Sequence, residues 1–139
     1  MRRAPERDGG EAAGRGPVDG VLKGLQILVV EDDFIVAFDM QTMLEDQGAR
    51  VLGPASSLRE AQEILAAQTP QAAVLDVNLN GEFVFPLVEQ LRAKGVPFLF
   101  ATAYSDDDQL FPLAAKQAPR LAKPVLPALL VTQLRKLLG

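Results

Sequence analysis

Acidic side chains stand at the ends of two apolar runs of this 139-residue chain. Glu31, Asp32 and Asp33 follow the run QILVV, and Asp76 follows the run AAVL. A carboxylate beside a buried strand is unfavourable unless a partner stabilises it. Carboxylates that converge disfavour each other's ionisation, and a hard divalent cation relieves this repulsion. The acids therefore predict a Mg²⁺ site with open coordination positions, of the kind that also receives a phosphoryl group.

A hydroxyl and an ammonium group complete the set of residues that could do chemistry. Thr102 follows the apolar run PFLFA, and Lys123 follows PRLA. Both groups suit phosphoryl oxygens, the hydroxyl as a donor and the ammonium as a point charge. If Asp76 attacks as a nucleophile it becomes an acyl phosphate, whose oxygens Lys123, Thr102 and the backbone amide of Ala103 would orient. We therefore predict phosphoryl chemistry on Asp76.

The composition of the chain excludes several classes of chemistry and argues against some binding partners. The chain contains no cysteine and no histidine, which excludes disulfides, thiolate catalysis and Ser-His-Asp chemistry. Its formal net charge of -4 argues against electrostatically driven nucleic-acid binding. Residues 1–24 combine Gly, Pro, Arg and acids without an apolar stretch, which predicts a disordered tail before a domain at residues 25–139. No window is apolar enough to span a bilayer, so we expect a soluble cytoplasmic protein.

Short apolar runs alternate with helical patterns from Leu25 onwards, which is typical of an α/β fold with a parallel sheet. The pattern predicts five strands, at residues 26–30, 50–53, 72–75, 97–101 and 119–122. It predicts five helices, at residues 34–47, 57–68, 83–94, 106–117 and 126–138. Pro112 falls in the middle of the fourth of these helices and would break or kink it, so we expect an irregular or mobile segment there. Right-handed crossovers would place helices on both faces of a doubly wound sheet, so that the candidate residues meet at one edge.

Four of these segments resemble the receiver domains of two-component response regulators. ILVVEDD is similar to the first strand and acid pair of that family, and VLDVNLNG to its phosphoacceptor segment. FATAY is similar to its fourth strand, and LAKPV to its Lys-Pro. The resemblance covers residues 25–138. It implies a five-stranded parallel sheet of the flavodoxin-like (βα)5, or CheY-like, type with strand order 2-1-3-4-5.

The resemblance also implies a role for each site residue. The implied Mg²⁺ ligands are Glu31, Asp32, Asp76 and the backbone carbonyl of Asn78. The implied phosphoacceptor is Asp76, and the implied contacts of the phosphoryl group are Thr102, Ala103 and Lys123. Asp33 is either a third acid of the site or a helix cap.

The implied function is that of a stand-alone response regulator receiver. Such a receiver accepts a phosphoryl group from a sensor histidine kinase or a histidine phosphotransfer protein. It then acts through a downstream protein partner, or serves as a phosphate sink or shuttle in a phosphorelay. We expect a monomer that carries self-phosphorylation and self-dephosphorylation chemistry but is not an enzyme, and that binds neither nucleic acid nor membranes.

A longer motif points to a subfamily. PFLFATAYSD is similar to the PFxFATGY signature of receivers that are often single-domain and work with HWE-type sensor kinases, although Ala103 replaces the signature's Gly. A second departure is Arg120, which stands three positions before Lys123 where the family typically has an aromatic switch residue. Because of Arg120 and the break at Pro112, our hypothesis is that phosphorylation orders residues 105–117.

Two other functions agree with parts of the pattern. A phosphohydrolase of the haloacid-dehalogenase type would also use an Asp nucleophile and Mg²⁺. That family has an acid two residues after the nucleophile, where this chain has Asn78. A receiver-like interaction module that is not phosphorylated would keep the fold without using the acids.

Overall fold

A five-stranded parallel sheet forms the centre of the computed structural model, which describes residues 20–139. In chain order the strands are β1 Gln26–Val30, β2 Arg50–Ala55, β3 Ala72–Leu75, β4 Asn78–Leu79, β5 Glu82–Phe83, β6 Phe98–Thr102 and β7 Arg120–Ala122. The large sheet has the order β2-β1-β3-β6-β7 with every pair parallel, while β4 and β5 form a separate hairpin. The predicted doubly wound order of the five sheet strands, the CheY-like arrangement, is confirmed.

Four α-helices cover the two faces of this sheet. They are α1 Phe34–Asp46, α2 Leu58–Ala67, α3 Phe85–Ala93 and α4 Pro127–Leu138. Successive strand residues point to opposite faces, so Leu28 packs with α2 and α3 while Val29 packs with α1 and α4. Burial on both faces explains why the strands are continuous apolar runs. Within residues 20–139, no helix is long and apolar enough to cross a membrane.

The predicted helix at residues 106–117 is wrong, whereas the irregular segment expected there from Pro112 is confirmed. The connection between β6 and β7 contains two single 3-10 turns, Asp108–Leu110 and Leu113–Ala115. Pro112 has no N–H to donate and its ring obstructs a helical backbone, so a continuous α-helix cannot pass through this point. Phe111 and Ala115 are nevertheless buried in the core shared with α2 and α3. The (βα)5 pattern therefore fails at this one connection, residues 104–118, which we call the β6–β7 segment.

The β4–β5 hairpin includes Phe83, which the sequence assigned to the start of the third helix, and α3 begins at Phe85 rather than at residue 83. Its turn is made by Asn80 and Gly81, with φ of 54° and 92°. Two consecutive left-handed residues are the requirement of a tight hairpin turn, and Asn-Gly meets it at low cost. The hairpin directly follows Asp76, so this turn lies beside the predicted site.

A short turn at residues 20–24 precedes β1, in a stretch that the sequence assigned to the tail. Leu22 in this turn is buried in the core beneath α1 and α4, and its N–H donates to the carbonyl of Gln47 at 2.8 Å. The folded unit thus includes residues that precede the predicted boundary, because one leucine supplies enough apolar surface to fix the turn. The rest of the predicted tail, residues 1–19, lies outside the described residues.

Candidate functional site

Three acids meet at the carboxyl ends of β1 and β3, which are neighbours in the sheet. Glu31 and Asp32 follow β1, and Asp76 follows β3. Each of the three presents an oxygen within 4.8 Å of the others. Glu31 and Asp76 are 2% and 7% exposed, whereas Asp32 is half-buried. The fold therefore assembles the three carboxylates that the sequence selected as metal ligands.

Asp33 has a different position from its neighbours. Its Oδ1 accepts hydrogen bonds from the N–H groups of Ile35 at 2.9 Å and Val36 at 3.1 Å, so it is the N-cap of α1. Its own N–H donates to Oε2 of Glu31 at 3.0 Å. Of the two roles left open by the sequence, the structure supports the helix cap, and Asp33 contributes to the site by orienting Glu31.

Lys123 provides the positive charge of the site. Its Nζ lies 2.5 Å from Oε1 of Glu31 and 3.0 Å from Oδ2 of Asp76. Burial lowers the pKa of Lys123, but the close contacts and negative charges of the two carboxylates outweigh burial and leave this pKa raised. The ammonium is therefore charged at neutral pH and offsets part of the charge of the three acids.

Glu31 is the acid of the cluster whose pKa is raised. Burial raises the pKa of Glu31 to about 7, opposed by the Lys123 ammonium and the Asp33 amide and assisted by the Asp76 carboxylate. Lys123 approaches Oε1 of Glu31 as an ion pair, but no well-aligned hydrogen bond reaches this buried oxygen. A buried carboxylate oxygen without a hydrogen bond suits a cation ligand. The acid cluster thus fits a divalent metal ion by its own geometry.

The raised pKa of Glu31 predicts a specific pH dependence of stability. The pKa of about 7 in the folded protein exceeds the ordinary value of 4.5, so the folded state holds this proton more tightly and stability falls as pH rises between these values. The unfolding free energy of Glu31→Gln should therefore rise relative to that of wild type by on the order of 2 kcal/mol as pH increases from about 5 to about 8. The measurement is urea unfolding of both proteins in EDTA. Glu89→Gln, at an exposed acid of α3, should show no such gain. A pH-independent difference between Glu31→Gln and wild type would contradict the raised pKa.

Backbone amides hold the other two carboxylates in place. Oδ1 of Asp76 accepts from the N–H of Val77 at 2.7 Å, while Oδ2 faces Lys123. Oδ2 of Asp32 accepts from the N–H of Asn80 at 3.0 Å, in the hairpin turn. Asn78 uses its Oδ1 to accept from the N–H of Gly81 at 2.6 Å. The Asn78 side chain therefore belongs to the turn, and the predicted ligand at this position, the backbone carbonyl, is a separate group.

Thr102 and Ala103 lie at the end of β6. Thr102 is fully buried, and its Oγ1 accepts from the N–H of Tyr104 at 3.1 Å. A hydroxyl that accepts one hydrogen bond can still donate its hydrogen to another group. Ala103 is exposed, and Thr102 pairs with Ala122, which directly precedes Lys123. The sheet therefore carries Thr102 and Lys123 on adjacent strands at the same edge as the acids.

One group of contacts near the site was missed by the sequence analysis. The guanidinium of Arg120 lies 3.9 Å above the ring centroid of Phe111 and donates to Oδ1 of Asp108 at 2.8 Å. The sequence showed only that Arg120 stands where the family typically has an aromatic residue. Its partners lie in the β6–β7 segment, which forms no regular helix or strand, so the sequence pattern could not show which of its residues face Arg120.

Comparison with known proteins identifies the family. The model of the response regulator receiver domain matches residues 27–135 of the chain. This range contains the three acids, Thr102 and Lys123. The chain belongs to the response regulator receiver family. Receivers of this family act in two-component systems, as the sequence predicted.

Solved receivers share the fold of this one. SdrG from Sphingomonas melonis Fr1 is 34% identical, with a TM-score of 0.72 over 83% of this chain and 97% of that one. The receiver domain of PhyR from Erythrobacter litoralis is 22% identical, with a TM-score of 0.75 over 86% of this chain and 93% of that one. At the lower identity, the similarity to PhyR concerns the fold alone.

The curated relatives of this chain differ in length from one another. A 14.6 kDa protein of Leptolyngbya boryana is 33% identical over 115 residues, or 79% of this chain and 87% of that protein. The phyllosphere-induced regulator PhyR of Methylorubrum extorquens is 31% identical over 108 residues, or 74% of this chain and 39% of that protein. This receiver spans between 39% and 52% of the length of five such relatives, several of which are named transcriptional regulatory proteins.

Proposed function

We propose that this receiver accepts a phosphoryl group on Asp76 from a sensor histidine kinase or a histidine phosphotransfer protein. The observation that carries the proposal is the buried Asp76 carboxylate, with Lys123 at 3.0 Å and two further acids close by. In the transfer, an oxygen of Asp76 forms the new O–P bond. The N–P bond of the donor's phosphohistidine breaks, and the imidazole nitrogen keeps the electron pair. The product is an acyl phosphate on Asp76.

The acid cluster supports a Mg²⁺-dependent reaction. Its proposed ligands are Glu31, Asp32, Asp76 and the backbone carbonyl of Asn78. The buried oxygen of Glu31 without an aligned hydrogen bond is the feature of this chain that favours a cation. When bound, Mg²⁺ would neutralise charge on the phosphoryl oxygens. The amides of Val77 and Asn80 would meanwhile keep two of the carboxylates oriented.

The remaining site residues would contact the phosphoryl group itself. The Lys123 ammonium is paired with Asp76 in this structure and would pair with a phosphoryl oxygen once the carboxylate is phosphorylated. The Thr102 hydroxyl has a hydrogen to donate, since it only accepts from Tyr104 in the described structure. The exposed Ala103 amide would supply a further donor.

The proposed partners follow from this chemistry. We propose a phosphoacceptor rather than an enzyme, which signals through protein–protein contacts or serves as a phosphate sink or shuttle. The PFLFATAYSD motif supports the PFxFATGY subfamily and, with it, an HWE-type kinase as the donor. A monomer in the cytoplasm, without a nucleic-acid partner, is part of the same proposal.

Intact-mass spectrometry after incubation with acetyl phosphate tests the proposal. We expect a single phosphoryl adduct on the wild-type chain that requires Mg²⁺ and is lost entirely in Asp76→Asn. Asp46→Asn, at an exposed acid of α1, should form the adduct as wild type does. Absence of an adduct in every condition would support an interaction module that is not phosphorylated. Sustained release of phosphate from a generic phosphomonoester would support a phosphohydrolase.

A further inference from the structure

The β6–β7 segment has little backbone support of its own. Its backbone hydrogen bonds join residues three apart, as in the bond from the N–H of Ala115 to the carbonyl of Pro112 at 2.9 Å. Such 3-10 turns are short and have poorer hydrogen-bond geometry than an α-helix. Pro112 also separates the two turns. The conformation of the segment therefore depends on side chains that reach it from elsewhere.

Arg120, on β7, makes most of these contacts. Its side chain is 13% exposed and donates to Oδ1 of Asp108 at 2.8 Å, to the carbonyl of Lys116 at 3.4 Å and to the carbonyl of Ser105 at 3.5 Å. The guanidinium plane also covers Phe111 at 3.9 Å. The guanidinium is planar and cationic, so its N–H groups can donate to a carboxylate and to carbonyls while its face stacks on an aromatic ring. One side chain thus holds four points along the segment.

Asp108 interacts with Lys116 as well as with Arg120. Lys116 donates from Nζ to the carbonyl of Asp108 at 2.8 Å and to its Oδ2 at 3.1 Å. The hydrogen bond from Arg120, followed by that from Lys116, holds the pKa of Asp108 below its ordinary value. Asp108 therefore stays charged at neutral pH and pairs with both cations. We call Arg120, Asp108, Phe111 and Lys116 the arginine clamp.

A chain of hydrogen bonds joins the arginine clamp to the site. Arg120 pairs with Phe100, two residues before Thr102 on β6. Oγ1 of Thr102 accepts from the N–H of Tyr104, and Tyr104 directly precedes Ser105, whose carbonyl accepts from Arg120. Thr102 and Arg120 are thus connected through the backbone of Tyr104 and Ser105. The bond to Ser105, at 3.5 Å, is the longest of the hydrogen bonds that Arg120 donates and so the weakest link of this path.

We propose that Arg120 is a positioning residue that couples the phosphoacceptor site to the outer surface of the β6–β7 segment, in the place of an aromatic side chain. The inference rests on the proposed phosphorylation of Asp76. When Thr102 donates to the phosphoryl group, Tyr104 and Ser105 shift with it. Arg120 then transmits this shift to Asp108 and Lys116. The surface so controlled includes Leu113, which is 84% exposed and available to a protein partner.

This coupling replaces the disorder-to-order hypothesis for residues 105–117. Phe111 is 2% exposed and already packs edge-on against Phe100 at 5.0 Å and Phe85 at 5.6 Å. Because a buried aromatic ring already anchors the segment, we expect phosphorylation to change the contacts of the clamp rather than to convert disorder into order. The predicted response is a local rearrangement around a fixed Phe111.

Amide NMR of the full chain with acetyl phosphate and Mg²⁺ tests the coupling, with the adduct measured in parallel by intact mass. In wild type we expect shifts at Thr102, Tyr104, Asp108, Lys116 and the Nε–H of Arg120. In Arg120→Gln the adduct yield should stay within about twofold, Thr102 and Tyr104 should still shift, and Asp108 and Lys116 should not. Amide exchange over residues 108–116 should be about 10- to 100-fold faster in this variant even without phosphate.

Two further variants separate coupling from general stability. Arg92→Gln removes another arginine that contacts the same segment, through a single bond to the carbonyl of Ala114 at 3.2 Å, and should respond to phosphorylation as wild type does. Arg120→Lys keeps the charge but not the fork, so it should restore only part of the response.

The outcomes distinguish the two proposals. A wild-type chain without an adduct contradicts the proposed function and the coupling that depends on it. A wild-type adduct that leaves Asp108 and Arg120 Nε–H unshifted contradicts the coupling alone. The coupling is also contradicted if Arg120→Gln transmits the shift to Asp108 and Lys116 as wild type does.

Discussion

Replacement of Lys123 by alanine is expected to lower the unfolding free energy of the metal-free receiver by about 3 kcal/mol near pH 8. Lys123 lies 2.5 Å from Glu31 and 3.0 Å from Asp76, and both carboxylates are buried. Without the ammonium, two buried charges lose their partner, which costs more than the loss of an exposed ion pair. The measurement is urea unfolding in EDTA.

The same variant should be sensitive to pH and to metal. The pKa of Glu31, about 7 in the wild type, should rise further when Lys123 is removed, because the ammonium lowers it. Glu31 of the variant then takes up its proton at a higher pH than Glu31 of the wild type, so the loss of stability should shrink as pH falls towards about 6. Mg²⁺ should recover part of the loss, since it brings positive charge to the same oxygens.

The matched control is Lys136→Ala, at an exposed lysine of α4, which should change the unfolding free energy by less than about 0.5 kcal/mol. An equal loss in both lysine variants would show that the buried carboxylates do not depend on Lys123. Such a result would also weaken the proposed role of Lys123 at the phosphoryl group.

Phe111→Ala is expected to cost about 3 kcal/mol or more, although the residue lies in an irregular connection. Its ring is 2% exposed, packs edge-on against Phe100 and Phe85, and lies beneath Arg120 at 3.9 Å. Truncation leaves a cavity in the core and removes the surface on which the guanidinium stacks. Urea unfolding followed by circular dichroism gives the loss.

Leu113→Ala provides the control from the same segment. Leu113 is 84% exposed, so its truncation should leave the unfolding free energy within about 0.5 kcal/mol of wild type. If Phe111→Ala were as mild as Leu113→Ala, the segment would not be anchored by its aromatic ring. The clamp made by Arg120 would then lack its apolar support.

The sheet and the acid cluster were predictable because they depend on local patterns and on one general rule of topology. Apolar runs indicated buried strands, and the right-handed crossover brings the carboxyl ends of parallel strands to one edge. Glu31, Asp32 and Asp76 therefore had to lie near each other once the fold was known. Lys123 followed from the same argument, since it comes directly after β7.

The sequence patterns by themselves thus predicted the fold class and the meeting of the acids with Lys123 at one edge of the sheet, while the strand order came from the resemblance to receivers. Only the tertiary structure decided that Asp33 caps α1, that Leu22 completes the core and that the β6–β7 segment forms 3-10 turns. The clamp around Arg120 was likewise decided there. These features depend on contacts between residues that are distant in sequence or in irregular backbone, where the energy of packing and hydrogen bonding has no periodic signature in the chain.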